Sequence, residues 1–246
     1  MASGDTIGLG RPCRICIDPG HGGRDTGAVA NGVVEKTVNL SVALTLRDLL
    51  EANDHTVTMT RTVDEWMGLT DRGCFSVRHD SELFVSVHHD WVQNRDTRGC
   101  SAFVRYEQYR NGMDLGTKLA ESLDEQFDHG FTYGVPCRKH WVNLGVLRGC
   151  NNDGLVTATV VELACLTNPT DASMTQWTDY PDQATKAIVR GIHRHLGLPE
   201  PGQPAPETVP VMIVEHETGD VIATYQMVPR GDHVEDQRKL YVRTEV

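Results

Sequence analysis

Four side chains in this sequence are of types that, brought together, can activate water: His21 in "DPGHGG", Glu35 in "NGVVEKTVNL", His88 in "FVSVHHD" and Glu162 in "TVVELACLTNP". Two imidazoles and one carboxylate make the three-ligand set of a catalytic zinc site, which keeps a coordination position open for water. A second, unligated carboxylate is then free to take the water's proton. Taken singly, each residue has an ordinary explanation. A histidine at a strand end is commonly a hydrogen-bonded structural or surface residue, and Glu35 stands where it could cap a helix or meet the positive end of its dipole. Glu162 fits such an explanation less well, because it ends a run of β-branched and small residues. An unpaired buried carboxylate there costs several kcal/mol or shifts its pKa. No G-x-S-x-G elbow is present to support a hydroxyl nucleophile instead.

Such chemistry requires elements that carry residues 21, 35, 88 and 162 to one place. Apolar patterning predicts strands over 13–18, 55–61, 82–88, 99–106 and 155–162. Helices are predicted over 35–54, 68–80, 111–130 and 181–197. In the first helix Val38, Val42, Leu46, Leu49 and Leu50 recur at spacings of three and four, and Gly197 ends the last. Strands alternating with helices imply an α/β fold, a mainly parallel doubly wound sheet with helices on both faces. Ligands in such sheets collect beyond the carboxyl ends of the strands, where His21, His88 and Glu162 fall. The Pro-Gly corner before His21 leaves room beside the backbone for a metal or ligand.

The stretch 198–210 holds five of the eleven prolines and reads as an extended linker. It separates a main domain over 1–197 from a segment over 211–246 that reads as a β-hairpin or three-stranded meander turning at "ETGD". So short a segment is expected to dock, to attach to a larger partner or to pair with a second copy. The seven cysteines are odd in number and scattered, which points to reduced thiols filling the core. A net charge of −11 disfavours nucleic acid as a partner. No apolar run is long enough for membrane insertion, and the first residues lack the pattern of a secretory signal, so synthesis in a cytoplasm is expected.

The blocks "IDPGHGG", "VVEKTVNL", "LFVSVHHD", "LGVLRG" and "VVELACLTNP" occur in the order of the Amidase_3 type of N-acetylmuramoyl-L-alanine amidases, which the chain resembles over residues 13 to 197. These are zinc hydrolases that cut peptidoglycan. The resemblance implies that His21, Glu35 and His88 bind Zn2+ and that Glu162 is the catalytic carboxylate. It also suggests His89, His140, Arg148 and Asn168 as substrate contacts. The sequence departs from the family where "HHD" replaces a histidine, a small residue and asparagine, placing an extra negative charge at Asp90. Because side chains alternate along a strand, His88 and His89 should point to opposite faces. The other histidines fall mostly in helices, loops or the tail and are expected at the surface or behind the site.

The layout of catalytic domain, proline-rich linker and short terminal segment resembles phage endolysins. The competing settings are a cellular autolysin or a spore enzyme. A metal-free peptidoglycan-binding regulator of the same fold is disfavoured by the presence of all four residues.

Overall fold

The computed structural model describes residues 7–105, 109–140, 144–151, 156–202, 209–214 and 221–227. Its centre is a six-stranded sheet built from β1 (Arg14–Pro19), β4 (Thr56–Met59), β5 (Leu83–Asp90), β6 (Ser101–Arg105), β7 (Cys137–His140) and β8 (Thr157–Cys165). The two strands missing from that numbering, β2 (Val29–Ala30) and β3 (Val33–Val34), form a short antiparallel ribbon in the loop after β1. The order across the sheet is β4-β1-β5-β8-β6-β7. Every pairing is parallel except that of β6 with β8, so the mainly parallel α/β architecture holds with one reversed junction.

Among the described residues six α-helices flank the sheet: α1 (Glu35–Glu51), α2 (Leu69–Arg78), α3 (Tyr109–Phe127), α4 (Gly145–Arg148), α5 (Pro169–Met174) and α6 (Tyr180–Leu196). The two-residue period of the strands divides the interior into two cores. Ile15 and Ile17 of β1 and Leu83, Val85 and Val87 of β5 meet Val42, Leu46, Leu119 and Ile188 from α1, α3 and α6. Cys16 and Phe84 face the other way, with Val146, Leu147 and Val160. α1 keeps Val38, Val42, Leu46 and Leu50 buried, as the helical spacing predicts. α6 ends at Gly197, whose φ of 69° supplies the left-handed cap.

Element ends differ from the sequence expectation by a few residues. Four short pieces, the ribbon, β7, α4 and α5, carry too little apolar periodicity to be read from sequence. All seven cysteines are free thiols, six of them buried. Among the described residues no helix is long and apolar enough to cross a membrane.

The chain divides into two compact units, Met1–Gly202 and Gln203–Val246. The first residues of the stretch read as an extended linker, up to Gly202, belong to the first unit. Leu198 donates its N–H to His193, and Glu200 pairs with Arg194 at 2.7 Å. At its other end, Val209 and Pro210 already belong to β9 (Val209–Val214), which pairs antiparallel with β10 (Val221–Met227). The "ETGD" turn and the expected third strand lie outside the described residues.

Candidate active site

The corner that ends β1 sets the first side chain. His21 sits at φ 62°, a left-handed backbone unusual for any residue but glycine, and turns its ring toward Glu35. Its Nε2 lies 3.0 Å from Glu35 Oε2. Its Nδ1 is 2.9 Å from Asp25 Oδ2, a charge contact too poorly aligned for a good hydrogen bond. Glu35 opens α1 without capping it. Its buried carboxylate instead accepts from the Ala28 N–H at 2.8 Å, the His89 N–H at 3.1 Å and Asn39 Nδ2 at 3.2 Å. His88, near the end of β5, places Nδ1 3.0 Å from Glu35 Oε1.

One donor atom from each of His21, Glu35 and His88 lies within 4.8 Å of the others. The two imidazole rings stand edge to face, with centroids 4.9 Å apart. Burial pushes the Glu35 carboxyl upward, but hydrogen bonds and charge from His21 and His88 outweigh it and hold the group well below the usual carboxylate range.

Two glycines make room for this cluster. A Cβ on Gly20 would lie 2.2 Å from the His88 ring. One on Gly27 would lie 2.4 Å from Glu35 Oε2 and 2.5 Å from the His21 ring, at a φ of 63°. Two histidines and a carboxylate converging in a cradle that a methyl group would fill fit a Zn2+ ion in chemistry and in space.

Glu162 lies on β8 in register with His88 on β5 and with Ser101 on β6. Its Oε2 is buried without a hydrogen-bond partner among the described residues. Burial and the charges of Asp90 and Glu35 push its pKa well up. Asp90 is shifted the same way, chiefly by burial, with Tyr133 and the Trp91 N–H acting against the shift. The extra carboxylate of the "HHD" sequence therefore interacts electrostatically with Glu162.

The expected substrate contacts fare differently. His89 does point to the face opposite His88, and there it is buried, with Nδ1 2.7 Å from Asn39 Oδ1 and Nε2 2.8 Å from Tyr180 Oη. Burial drives its pKa down to about 3, and both nitrogens are engaged within the core. Asn168 has its side chain engaged within the protein as well. Its Oδ1 caps α5 by accepting from Thr170 and Asp171, and its Nδ2 donates to Arg95 O. Arg148 is exposed at the end of α4, its guanidinium reaching back toward Gly145. His140 closes β7, but its side chain lies outside the described residues, as does Trp141.

Sequence reading missed the pair formed by Arg24 and Trp66. The guanidinium stands 4.3 Å over an indole that is half exposed, on loops joined by the Gly23 N–H donating to Asp64 Oδ1 at 2.8 Å. Arg24 follows His21 by three positions, and that proximity was the available signal.

The N-acetylmuramoyl-L-alanine amidase family model, Amidase_3, matches residues 15–194. The germination-specific N-acetylmuramoyl-L-alanine amidase of Bacillus subtilis is 28% identical over 196 residues, covering 74% of this chain and 79% of its own. A probable cell wall amidase of Staphylococcus saprophyticus, LytH, is 31% identical over 185 residues, again 74% of this chain but only 58% of the relative's length. The crystal structure of N-acetylmuramoyl-L-alanine amidase from Clostridium difficile 630 superposes with a TM-score of 0.68 at 25% identity, over 76% of this chain and 97% of that one.

Proposed function

Because this chain belongs to the N-acetylmuramoyl-L-alanine amidase family, we propose that it hydrolyses the amide between the lactyl carbonyl of N-acetylmuramic acid and L-alanine in peptidoglycan, using one Zn2+ held by His21, Glu35 and His88. The observation that carries this reading is the convergence of three donor atoms within 4.8 Å, with Glu162 in register beside His88. When bound there, zinc lowers the pKa of a water and polarises a carbonyl.

The remaining steps fall to the chain's own side chains. Glu35, held by the Ala28 and His89 amides, keeps both imidazoles turned inward. Glu162, with no partner on Oε2, is free to accept the proton of the attacking water and return it to the departing alanine nitrogen. A carboxyl whose pKa is raised by burial suits both steps, since it keeps the proton it has taken more readily until the leaving nitrogen accepts it. Burial raises that pKa first, and the neighbouring Asp90 and Glu35 add to it.

The test compares wild type with Glu162→Gln for bound zinc and for release of new alanine amino termini from purified peptidoglycan. One zinc in each, with cleavage by wild type alone, is the expected result. A wild type that binds no zinc, or a variant that cuts as fast, overturns the assignment.

For its setting we favour an endolysin, on the layout of a catalytic unit followed by a separate 44-residue unit, Gln203–Val246. The relative named germination-specific supports a spore role instead. Clearing of vegetative walls by the purified chain is expected for the endolysin, and action confined to spore peptidoglycan would refute it. We further propose that the C-terminal strands pair between two copies. A monomeric mass of the full chain in solution would refute that pairing.

A further inference from the structure

Arg61 and Arg72 are buried almost completely, at 1% and 2% exposure, although arginine is rarely buried unless its charge is satisfied. Their partners explain the burial. Arg72 donates to Asp18 Oδ1 at 2.8 Å, to Pro19 O at 2.9 Å, to His21 O at 2.7 Å and to Met67 O at 3.2 Å. Arg61 donates to Pro19 O, Gly20 O and Lys36 O, each at 2.9 Å, and to Val63 O at 3.2 Å. Together the two guanidiniums take three consecutive carbonyls, those of Pro19, Gly20 and His21.

Those carbonyls belong to the turn that puts His21 into its left-handed conformation, which costs an L-residue about 1 kcal/mol or more when nothing holds it. Arg61 also bridges two proposed ligands, because Gly20 precedes His21 and Lys36 follows Glu35. Asp18, the only carboxylate partner of the pair among the described residues, accepts in addition from Ser86 Oγ at 2.6 Å, on the strand that carries His88. The cluster therefore grips the backbone at His21 and next to Glu35, and reaches the strand of His88 through the Ser86 side chain.

We propose that Arg61 and Arg72 are positioning residues for the metal site, fixing the turn of His21 and its spacing from Glu35 so that they set zinc affinity. The proposal rests on the zinc reading above. A planar fork that serves several carbonyls at once cannot be replaced by an ammonium, which lacks the fixed geometry.

The test uses the full-length chain as wild type, Arg72→Lys and Arg61→Lys. Each is stripped of metal, checked for folding by circular dichroism, and titrated with Zn2+ against a chromophoric chelator. The visible absorption of the Co2+-loaded proteins is recorded alongside. Zinc binding weakened by about 10- to 100-fold, with an altered cobalt spectrum, is the expected result for each variant that folds. Zinc affinity within twofold of wild type overturns the proposal, even where the melting temperature of the apo protein falls, because a purely structural role would move only the latter. Should Arg72→Lys fail to fold, Arg61→Lys, which leaves the Asp18 ion pair intact, decides by the same criterion. A wild type that takes up no zinc refutes the underlying metal reading, an outcome distinct from loss of affinity in the variants.

Discussion

Lowering the pH should destabilise this protein through a buried histidine pair far from the catalytic chemistry. His55 Nδ1 accepts the Cys13 N–H at 3.2 Å, so its proton resides on Nε2, which lies 3.3 Å from His193 Nε2. His193 then accepts at Nε2 and donates from Nδ1 to Pro199 O. Each link has one donor and one acceptor, and adding a proton to either ring would set two donors face to face. Burial, with the charge of His193 second, lowers the His55 pKa from 6.5 to about 4.

A folded-state pKa below the unfolded one means that the unfolded chain binds the extra proton first. The stability is therefore complete above about pH 6.5 and is lost as pH falls toward about 4. At 1.36 kcal/mol per pKa unit, the loss between about pH 7.5 and about pH 5 is about 2 kcal/mol. For a domain of this size that corresponds to roughly 4–8 °C in melting temperature. Thermal melts of wild type and His55→Gln across that pH range isolate the effect, since the variant keeps an acceptor but no titrating ring. The variant should be less stable at neutral pH and lose less on acidification. Parallel pH curves for the two proteins, or a His55 pKa near 6.5 by NMR, would refute the reasoning.

Gly27→Ala should abolish zinc binding and cleavage while leaving the fold in place, because its Cβ enters the donor cluster at a positive φ; metal analysis beside circular dichroism measures both. Asn168→Ala should cost about 1 kcal/mol through loss of the α5 cap and leave KM unchanged, and a raised KM would mark the residue as a substrate contact. Leu46→Ala, at a fully buried site between α1 and the sheet, should cost about 2–5 kcal/mol in urea denaturation.

The sequence alone determined the long elements and the four residues proposed for catalysis. The first helix was legible because Val38, Val42, Leu46 and Leu50 repeat with the helical period, and β5 and β8 because β-branched and apolar residues dominate the runs before His88 and Glu162. Alternation along a strand was enough to send His88 and His89 to opposite faces. Only the tertiary structure decided what each then met. His89 became a core residue because Tyr180, ninety-one positions away, closes over it. Asn168 was spent on a helix too short to show a period, and His55 and His193 were buried together across 138 positions. The two guanidiniums behind the His21 turn were equally silent in the sequence. Periodicity reports which face of an element is apolar, whereas the partner of a polar group depends on which elements pack together, and that is fixed by contacts remote along the chain.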